Sequence, residues 1–324
     1  MYFCIFKSKY FLLMKNYNAL LLFLLLFVAH AGAQHTFTFA TRPAAHPDSA
    51  ACDLKMDVYQ PAQPRGDGAC VVYVFGGGFV VGARDDSASV KACRALADKG
   101  FVVASIDYRL YLPHAPKVSL LKAYTLFDTA ITWAVEDCSD AIRYLCSHAG
   151  ELHIDTSRIV LTGSSAGAIT VLQTDYCRCN ALPAAAALPQ GFRPAAVLTY
   201  SGGIFCRNGK LHYAVPPAPT ALFHGTSDRI VSYKRFRGSL AYSMNGAATV
   251  VKEFKKRGYS HWILRYEGRG HEVSSALCST LEEFCAFVDA TFRGRHMAYD
   301  ATCTDGDIRV SRWTNMTLLQ MYGM

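Results

Sequence analysis

Five residues near the middle of the chain, Gly163-Ser164-Ser165-Ala166-Gly167, have the types and spacing to carry nucleophilic chemistry. They follow an apolar, strand-like run, Ile159-Val160-Leu161, and lead into a helical pattern of small residues that continues to Leu172. A serine at the tip of so tight a strand-to-helix turn has strained backbone, so the residues two before and two after it must lack bulk. Gly163 and Gly167 meet that need. Such a turn lifts the Ser165 hydroxyl out of the sheet and aims the next helix N-terminus at whatever the hydroxyl attacks. A glycine-rich turn that only joins two elements would look the same in isolation, so the rest of the chain has to decide. A second glycine cluster, Gly76-Gly77-Gly78, follows the continuous apolar run Cys70–Phe75. Its place directly after a strand argues against a plain linker.

The elements that must position these residues alternate between strand and helix. Asp53 to Pro61 alternates apolar and polar residues and stops at proline, which predicts a strand near a sheet edge. Cys70–Phe75 and Phe101–Ile106 read as strands buried on both faces, with a crossover helix over Ala88–Lys99 between them. Helical spacing runs from Leu120 to His148 with a break expected near Asp137. Asp155-Thr156-Ser157-Arg158 caps the approach to the strand that ends in the serine turn. Further strands are predicted over Ala195–Tyr200, Thr220–His224 and Trp262–Tyr266, and a closing helix over Leu277–Phe292. This succession predicts an α/β domain with a parallel sheet covered by helices on both faces.

Composition narrows the classes of function. Hydrophobic residues make up 51% of the 324, a figure inflated by the N-terminus. Residues 1–33 carry Lys7, Lys9 and Lys15, no acid, an apolar run from Ala19 to Ala29, and Ala31-Gly32-Ala33 before Gln34. An apolar core of about ten residues is half of what a membrane span needs, so the segment reads as a cleaved signal peptide. No membrane span is then expected in the mature chain, and the protein is expected to be periplasmic or extracellular. The segment's three lysines reduce the formal charge from +8 to about +5. The other basic residues are scattered, apart from Lys252, Lys255, Lys256 and Arg257 at one helix end. No aromatics interleave with them, which argues against nucleic acid as a partner. Export permits disulfides among the eleven cysteines left after Cys4. Cys138 with Cys146, and Cys278 with Cys285, lie eight and seven residues apart on predicted helices, about 10 Å or more along the axis and beyond disulfide reach. Cys177-x-Cys179 has no companion half-site, so neither a metal nor an organic cofactor is implied.

From about Asp53 to Phe292 the sequence resembles the α/β-hydrolase superfamily, in particular its esterase/lipase branch with a glycine-rich oxyanion loop. The motifs that carry the resemblance occur in the proper order: DVYQP, FGGGF, DYRL, a D-x-x-R lead-in, GSSAG, HGTSD and GRGH. The resemblance implies the α/β-hydrolase fold, a mostly parallel central sheet with helices on both faces. It also implies a catalytic set in the chain order serine, acid, histidine. Ser165 is the expected nucleophile, Asp228 the acid after a strand end, and His271 the base in a loop loosened by Gly268 and Gly270. His224 and His261 are the rival histidines, the first in the strand-end motif and the second at the wrong end of a strand. The oxyanion donors are expected from the backbone N–H groups of Gly77, Gly78 and Ala166. Phe75 stands where the family has a histidine whose side chain is thought to brace this loop, so another brace is required.

The expected reaction is hydrolysis of a small-molecule carboxylic ester through an acyl-enzyme on Ser165. Short acyl groups are favoured, with an acylated carbohydrate as a candidate substrate, because no apolar run outside the core strands is long enough to build a deep acyl pocket. The stretches Asp175–Gly191 and Tyr233–Gly246 could form small caps; neither is long enough for a lid domain. Two other readings share the fold: a serine peptidase of the oligopeptidase type, which usually carries a large extra domain, and an inactive binding module, which commonly lacks a triad member. The expected organisation is a signal peptide over 1–33, a catalytic domain over 34–292, and an extension over 293–324 packed on the core, with Asp307–Trp313 alternating like an edge strand. N-terminal sequencing of the exported protein should return Gln34 or its cyclised form; an intact residue 1–33 segment would instead mark an anchor.

Overall fold

The structure, a computed structural model, describes residues 34–43, 52–112, 119–207, 210–237 and 242–304. The expected signal peptide and the Asp307–Trp313 strand lie outside the described residues. Five strands form the centre of the sheet: β3 (Cys70–Val74), β4 (Val102–Ile106), β5 (Ile159–Ser164), β6 (Ala196–Tyr200) and β8 (Thr220–Gly225). Nearly every side chain on them is buried, which only a sheet covered on both faces allows. Two strands precede them, β1 (Gln34–Arg42) and β2 (Cys52–Tyr59), and two follow, β11 (His261–Tyr266) and β12 (Ala298–Cys303). The nine-stranded order is β1-β2-β4-β3-β5-β6-β8-β11-β12. β1 with β2 and β2 with β4 are antiparallel; every other neighbouring pair is parallel.

β2 is therefore one strand in from the edge, which β1 occupies. β1 alternates Thr36 and Thr38 with Phe37 and Phe39, a period-two pattern that fits a half-covered edge. The sheet also continues past Phe292. β12 pairs in parallel with β11 from His261↔Ala298 to Tyr266↔Cys303, and its mostly exposed face suits an edge.

Among the described residues, five helices flank the sheet: α1 (Ser87–Ala97), α2 (Leu120–Ser147), α3 (Ala166–Cys179), α4 (Ala247–Arg257) and α5 (Leu281–Phe292). Asp86 caps α1 by accepting a hydrogen bond from the Ser89 N–H at 2.7 Å. α2 runs unbroken through Asp137, where the sequence suggested an interruption. Asp137 is fully buried and accepts hydrogen bonds from Arg109, of the DYRL segment, and from Arg42 on β1. The polar residue inside the helix is thus an ion-pair partner, not a breaker. The closing helix is shorter than expected, because residues 277–279 form a separate 3₁₀ turn that ends at Thr280. Cys278 consequently lies off the helix, and the spacing argument keeps its force only for Cys138 and Cys146. Ten cysteines of the described residues, from Cys52 to Cys285, are free thiols.

α3 is buried along nearly its whole length and satisfies its polar side chains internally. Thr170 and Thr174 hydroxyls return to the carbonyls of Ala166 and Thr170, and Gln173 bonds both the N–H and the carbonyl of Phe205. Phe205 belongs to β7 (Gly203–Cys206), which with β9 (Arg235–Arg237) and β10 (Ser243–Gly246) makes a small antiparallel sheet in the order β7-β10-β9. The described parts of the Tyr233–Gly246 stretch therefore contribute β9 and β10 to this sheet. The 175–191 stretch begins in the last turns of α3, about 15 Å along the helix axis from Ser165. No helix among the described residues is long and apolar enough to cross a membrane.

Candidate active site

Parallel strands deliver their loops to one edge, and the chemistry-bearing residues collect there. β5 ends at Ser164 and α3 begins at Ala166, leaving Ser165 alone in the turn with φ 52° and ψ −114°. That backbone is costly for a residue with a Cβ and is held by the Ser165 N–H donating to the Tyr200 carbonyl at 2.9 Å. The flanking glycines are dictated by close approach. A Cβ on Gly167 would stand 2.0 Å from the Val74 carbonyl oxygen, and one on Gly163 would stand 2.5 Å from the Gly167 carbonyl carbon. Strand β3, strand β5 and helix α3 meet without room for a methyl group.

His271 begins a 3₁₀ turn, His271–Ser275, after β11. Its Nε2 lies 2.8 Å from Ser165 Oγ and its Nδ1 2.8 Å from Asp228 Oδ2. A carboxylate can only accept, so Nδ1 carries the proton and Nε2 is left to accept from the serine hydroxyl. The acid and histidine loops are stitched together by backbone. The Ser227 N–H donates to the Arg269 carbonyl at 2.9 Å, and the Thr226 N–H to the Tyr266 carbonyl at 3.0 Å. Gly225 permits the crossing, because a Cβ there would come within 2.3 Å of the Gly270 carbonyl oxygen. The neighbouring Ser164, to which the sequence attached no role, donates from Oγ to the Ser274 carbonyl at 2.7 Å and so ties the nucleophile strand to the histidine turn.

Asp228 is buried, which disfavours its charged form, yet its carboxyl is held well below the usual carboxylate range because hydrogen bonds from His224 and His271 outweigh burial. Oδ1 also accepts the N–H groups of Ile230 and Val231 at 2.9 and 3.0 Å. The carboxylate therefore stays ionised and fixed. His261 stands at the opposite end of β11 with Nδ1 against the Tyr259 carbonyl, outside this cluster.

The glycine loop lies beside the serine: a Cβ on Gly76 would be 3.3 Å from Ser165 Cβ. Gly77 and Gly78 have φ 111° and 67°, and a Cβ on Gly77 would collide with the Val81 carbonyl at 1.8 Å. The Gly77 carbonyl accepts the N–H groups of Val80 and Val81, each at 3.1 Å. The missing brace is supplied from the DYRL segment. Tyr108 stacks on Phe75 at 4.5 Å between ring centroids, and its Oη lies 3.1 Å from the Phe75 carbonyl and 3.3 Å from that of Gly76. Ala166 heads α3 directly after Ser165, and Gly77 and Gly78 continue the loop from Gly76.

An apolar wall also appears where the sequence offered no apolar run. Phe79, Phe127, Phe205 and Tyr242 stand in successive ring contact, with centroids 5.5, 5.7 and 5.4 Å apart. They come from the glycine loop, α2, β7 and the entry to β10. No cluster of metal-ligating side chains occurs among the described residues.

Among solved structures, the chain is similar to an esterase of the Planctomycetes species Thermogutta terrifontis, with a TM-score of 0.57 and 21% identity over 80% of this chain and 92% of that one. The chain has the α/β-hydrolase fold. The BD-FAE family model matches residues 56–176 of this chain, from β2 through most of α3. Its sequence relatives lie in the esterase and lipase branch of the superfamily. They include a probable isoprenylcysteine alpha-carbonyl methylesterase of Oryza sativa subsp. japonica, 32% identical over 114 residues, 35% of this chain and 23% of the relative. A carboxylesterase of Mycobacterium tuberculosis is 32% identical over 115 residues, 36% of this chain and 31% of the relative. An ethyl acetate hydrolase of Pseudomonas putida is 36% identical over 117 residues, 35% and 31% of the two chains. The matched stretch spans less than a third of each of these relatives.

The brace generates a prediction. Tyr108→Phe keeps the ring stack but leaves buried carbonyls without their hydroxyl donor, and should lower stability by about 1–2 kcal/mol in urea unfolding. An unchanged unfolding midpoint would show that the hydroxyl does not hold the loop.

Proposed function

We propose that this α/β-hydrolase is an exported serine esterase that cleaves carboxylic esters with short acyl groups through an acyl-enzyme on Ser165. The observation that carries the reading is the unbroken chain of two 2.8 Å hydrogen bonds from Ser165 through His271 to Asp228. In this reading His271 takes the proton of the Ser165 hydroxyl as Oγ attacks the ester carbonyl, and Asp228 steadies the imidazolium that forms. The carbonyl oxygen gathers negative charge against the backbone N–H groups of Gly77, Gly78 and Ala166; losing one such donor typically costs about 3 kcal/mol of transition-state stabilisation. The imidazolium then returns the proton to the departing alcohol, and water, activated by the same imidazole, releases the acid.

The relatives support ester chemistry as the reaction class, and the ethyl acetate hydrolase supports a small acyl group. Thermogutta terrifontis esterase 2, which shares the fold, has been solved with propionate and with butyrate bound. Within this chain, Phe79 of the glycine loop is interlocked with Phe127, Phe205 and Tyr242, and we read this packed aromatic cluster next to the loop as favouring a short acyl chain over a long one. A carbohydrate is the alcohol we favour, since the described residues include no separate lid domain. Export to the periplasm or the extracellular space follows from the character of residues 1–33.

The pH dependence has a definite sign. Asp228 is held below the usual carboxylate range, so it remains charged while the imidazole is protonated, and a single acid limb should appear in kcat/KM. Through the same shift Asp228 favours folding above its unfolded range, about pH 4, and loses that contribution as the pH falls further.

A series of p-nitrophenyl esters tests the reading. Acetyl and butyryl esters should be hydrolysed at least as well as decanoyl, with Ser165→Ala about a thousand-fold or more slower. Specificity constants that climb steadily with chain length would overturn the short-acyl reading. Faster cleavage of aminoacyl amides than of esters would replace the esterase with a peptidase.

A further inference from the structure

Among the described residues, His224 is the imidazole beside Asp228 that the proposed reaction does not use. It lies at the penultimate position of β8, 1% exposed, between strands β6 and β11. Its Nε2 stands 2.9 Å from the Val231 carbonyl oxygen and 3.3 Å from Asp228 Oδ2, the oxygen that His271 also contacts. A carbonyl only accepts, so Nε2 carries a proton and directs it into the gap between the Val231 carbonyl and the Asp228 carboxylate. Its Nδ1 is buried without a hydrogen-bond partner. Asp228 thus has two backbone donors and one imidazole donor, His271, with the His224 Nε2 3.3 Å from the oxygen that His271 uses.

We propose that His224 is a positioning residue for the triad. Its Nε2–H shares Asp228 Oδ2 with His271, fixes the plane of the carboxylate through the Val231 turn, and limits how strongly Asp228 can raise the basicity of His271. The inference rests on the esterase reading for its link to turnover, but its core is a coupling between two imidazoles through one carboxylate oxygen. A donor removed from Oδ2 leaves that oxygen more basic, so it holds a proton on the His271 imidazole more strongly. The other charged and titratable groups facing this cluster are few. Tyr233 meets the His224 ring edge-on at 5.6 Å. Arg265, aligned with His224 in the sheet, donates to Tyr233 Oη and pairs with Asp300. Tyr200 on β6 is bonded to Thr280. Arg269 and Glu272 belong to the histidine loop, 3.9 Å apart at their nearest charged atoms. From α4 the buried side chains are Ala247, Val250, Val251 and Phe254, none of which titrates.

The test compares the parent with His224→Phe, which keeps a ring and loses the donor, and His224→Gln, which restores an N–H donor at similar reach. The His271 ring is titrated by ¹⁵N NMR, and p-nitrophenyl acetate hydrolysis is followed against pH. Thermal melting confirms that each variant is folded at the assay temperature. In His224→Phe the ring should titrate about half to one pH unit higher than in the parent, the acid limb of kcat/KM should move with it, and kcat should fall roughly ten-fold at little change in KM. His224→Gln should return all three towards the parent. A folded His224→Phe protein with an unmoved His271 titration overturns the proposal, as does loss of activity that only follows loss of folded protein. A moved titration in a chain whose parent hydrolyses no ester would support the coupling and refute the esterase reading instead. If neither phenylalanine nor glutamine yields folded protein, His224→Leu and His224→Asn form the same donor-less and donor-bearing pair.

Discussion

The arrangement depends on a contact too close for side chains, where the first turn of α3 passes under the end of β3. With the Gly167 Cα position facing the Val74 carbonyl, the helix can begin one residue after the strand ends, and Ser165 is forced into backbone that a serine does not choose. Such strain persists only where the surroundings over-determine it. Here the surroundings are a fully buried helix, a buried strand on either side, and the Tyr200 carbonyl that receives the Ser165 N–H. The reward is a hydroxyl placed at the carboxyl edge of the sheet, where the loops after β3, β8 and β11 also arrive.

Around that fixed point the chain manages a second cost, a buried carboxylate. Asp228 has lost most of its water, and the compensation is built from its own turn and from two rings. The same backbone stitching that holds the acid loop to the histidine loop sets the angle at which His271 meets Ser165. The glycine loop is secured separately: the Tyr108 hydroxyl reaches the carbonyls of Phe75 and Gly76, while the Phe75 ring stacks on Tyr108 where a histidine would otherwise have made polar contacts. The brace expected from a histidine at position 75 is thus made by Tyr108 instead.

What could be read from the chain was what local chemistry enforces. The GSSAG spacing, the three glycines after an apolar strand, and the aspartate and histidine after strand ends each have a local reason to be where they are, and the central strands are continuous apolar runs. What escaped depends on partners distant in sequence. Asp137 looked like a helix breaker because its arginines are 28 and 95 residues away. Ser164 is ordinary until Ser274, 110 residues on, comes beside it. The aromatic wall comes from four separate stretches, so a search for one long apolar run could not find it. β1 was legible in principle, since Thr36-Phe37-Thr38-Phe39 alternates cleanly, whereas β12 and the three short strands of the small sheet offer too few residues for periodicity to register.

The central claim is that Ser165, strained in its turn and bonded to His271, is the chemically activated group of this chain. A serine-directed fluorophosphonate followed by peptide mass spectrometry tests it whatever the substrate is. The account predicts one adduct, on Ser165, with Ser164 unmodified and ester hydrolysis abolished in step with labelling. An adduct on Ser164, or continued hydrolysis by a protein that takes no label at Ser165, would contradict it.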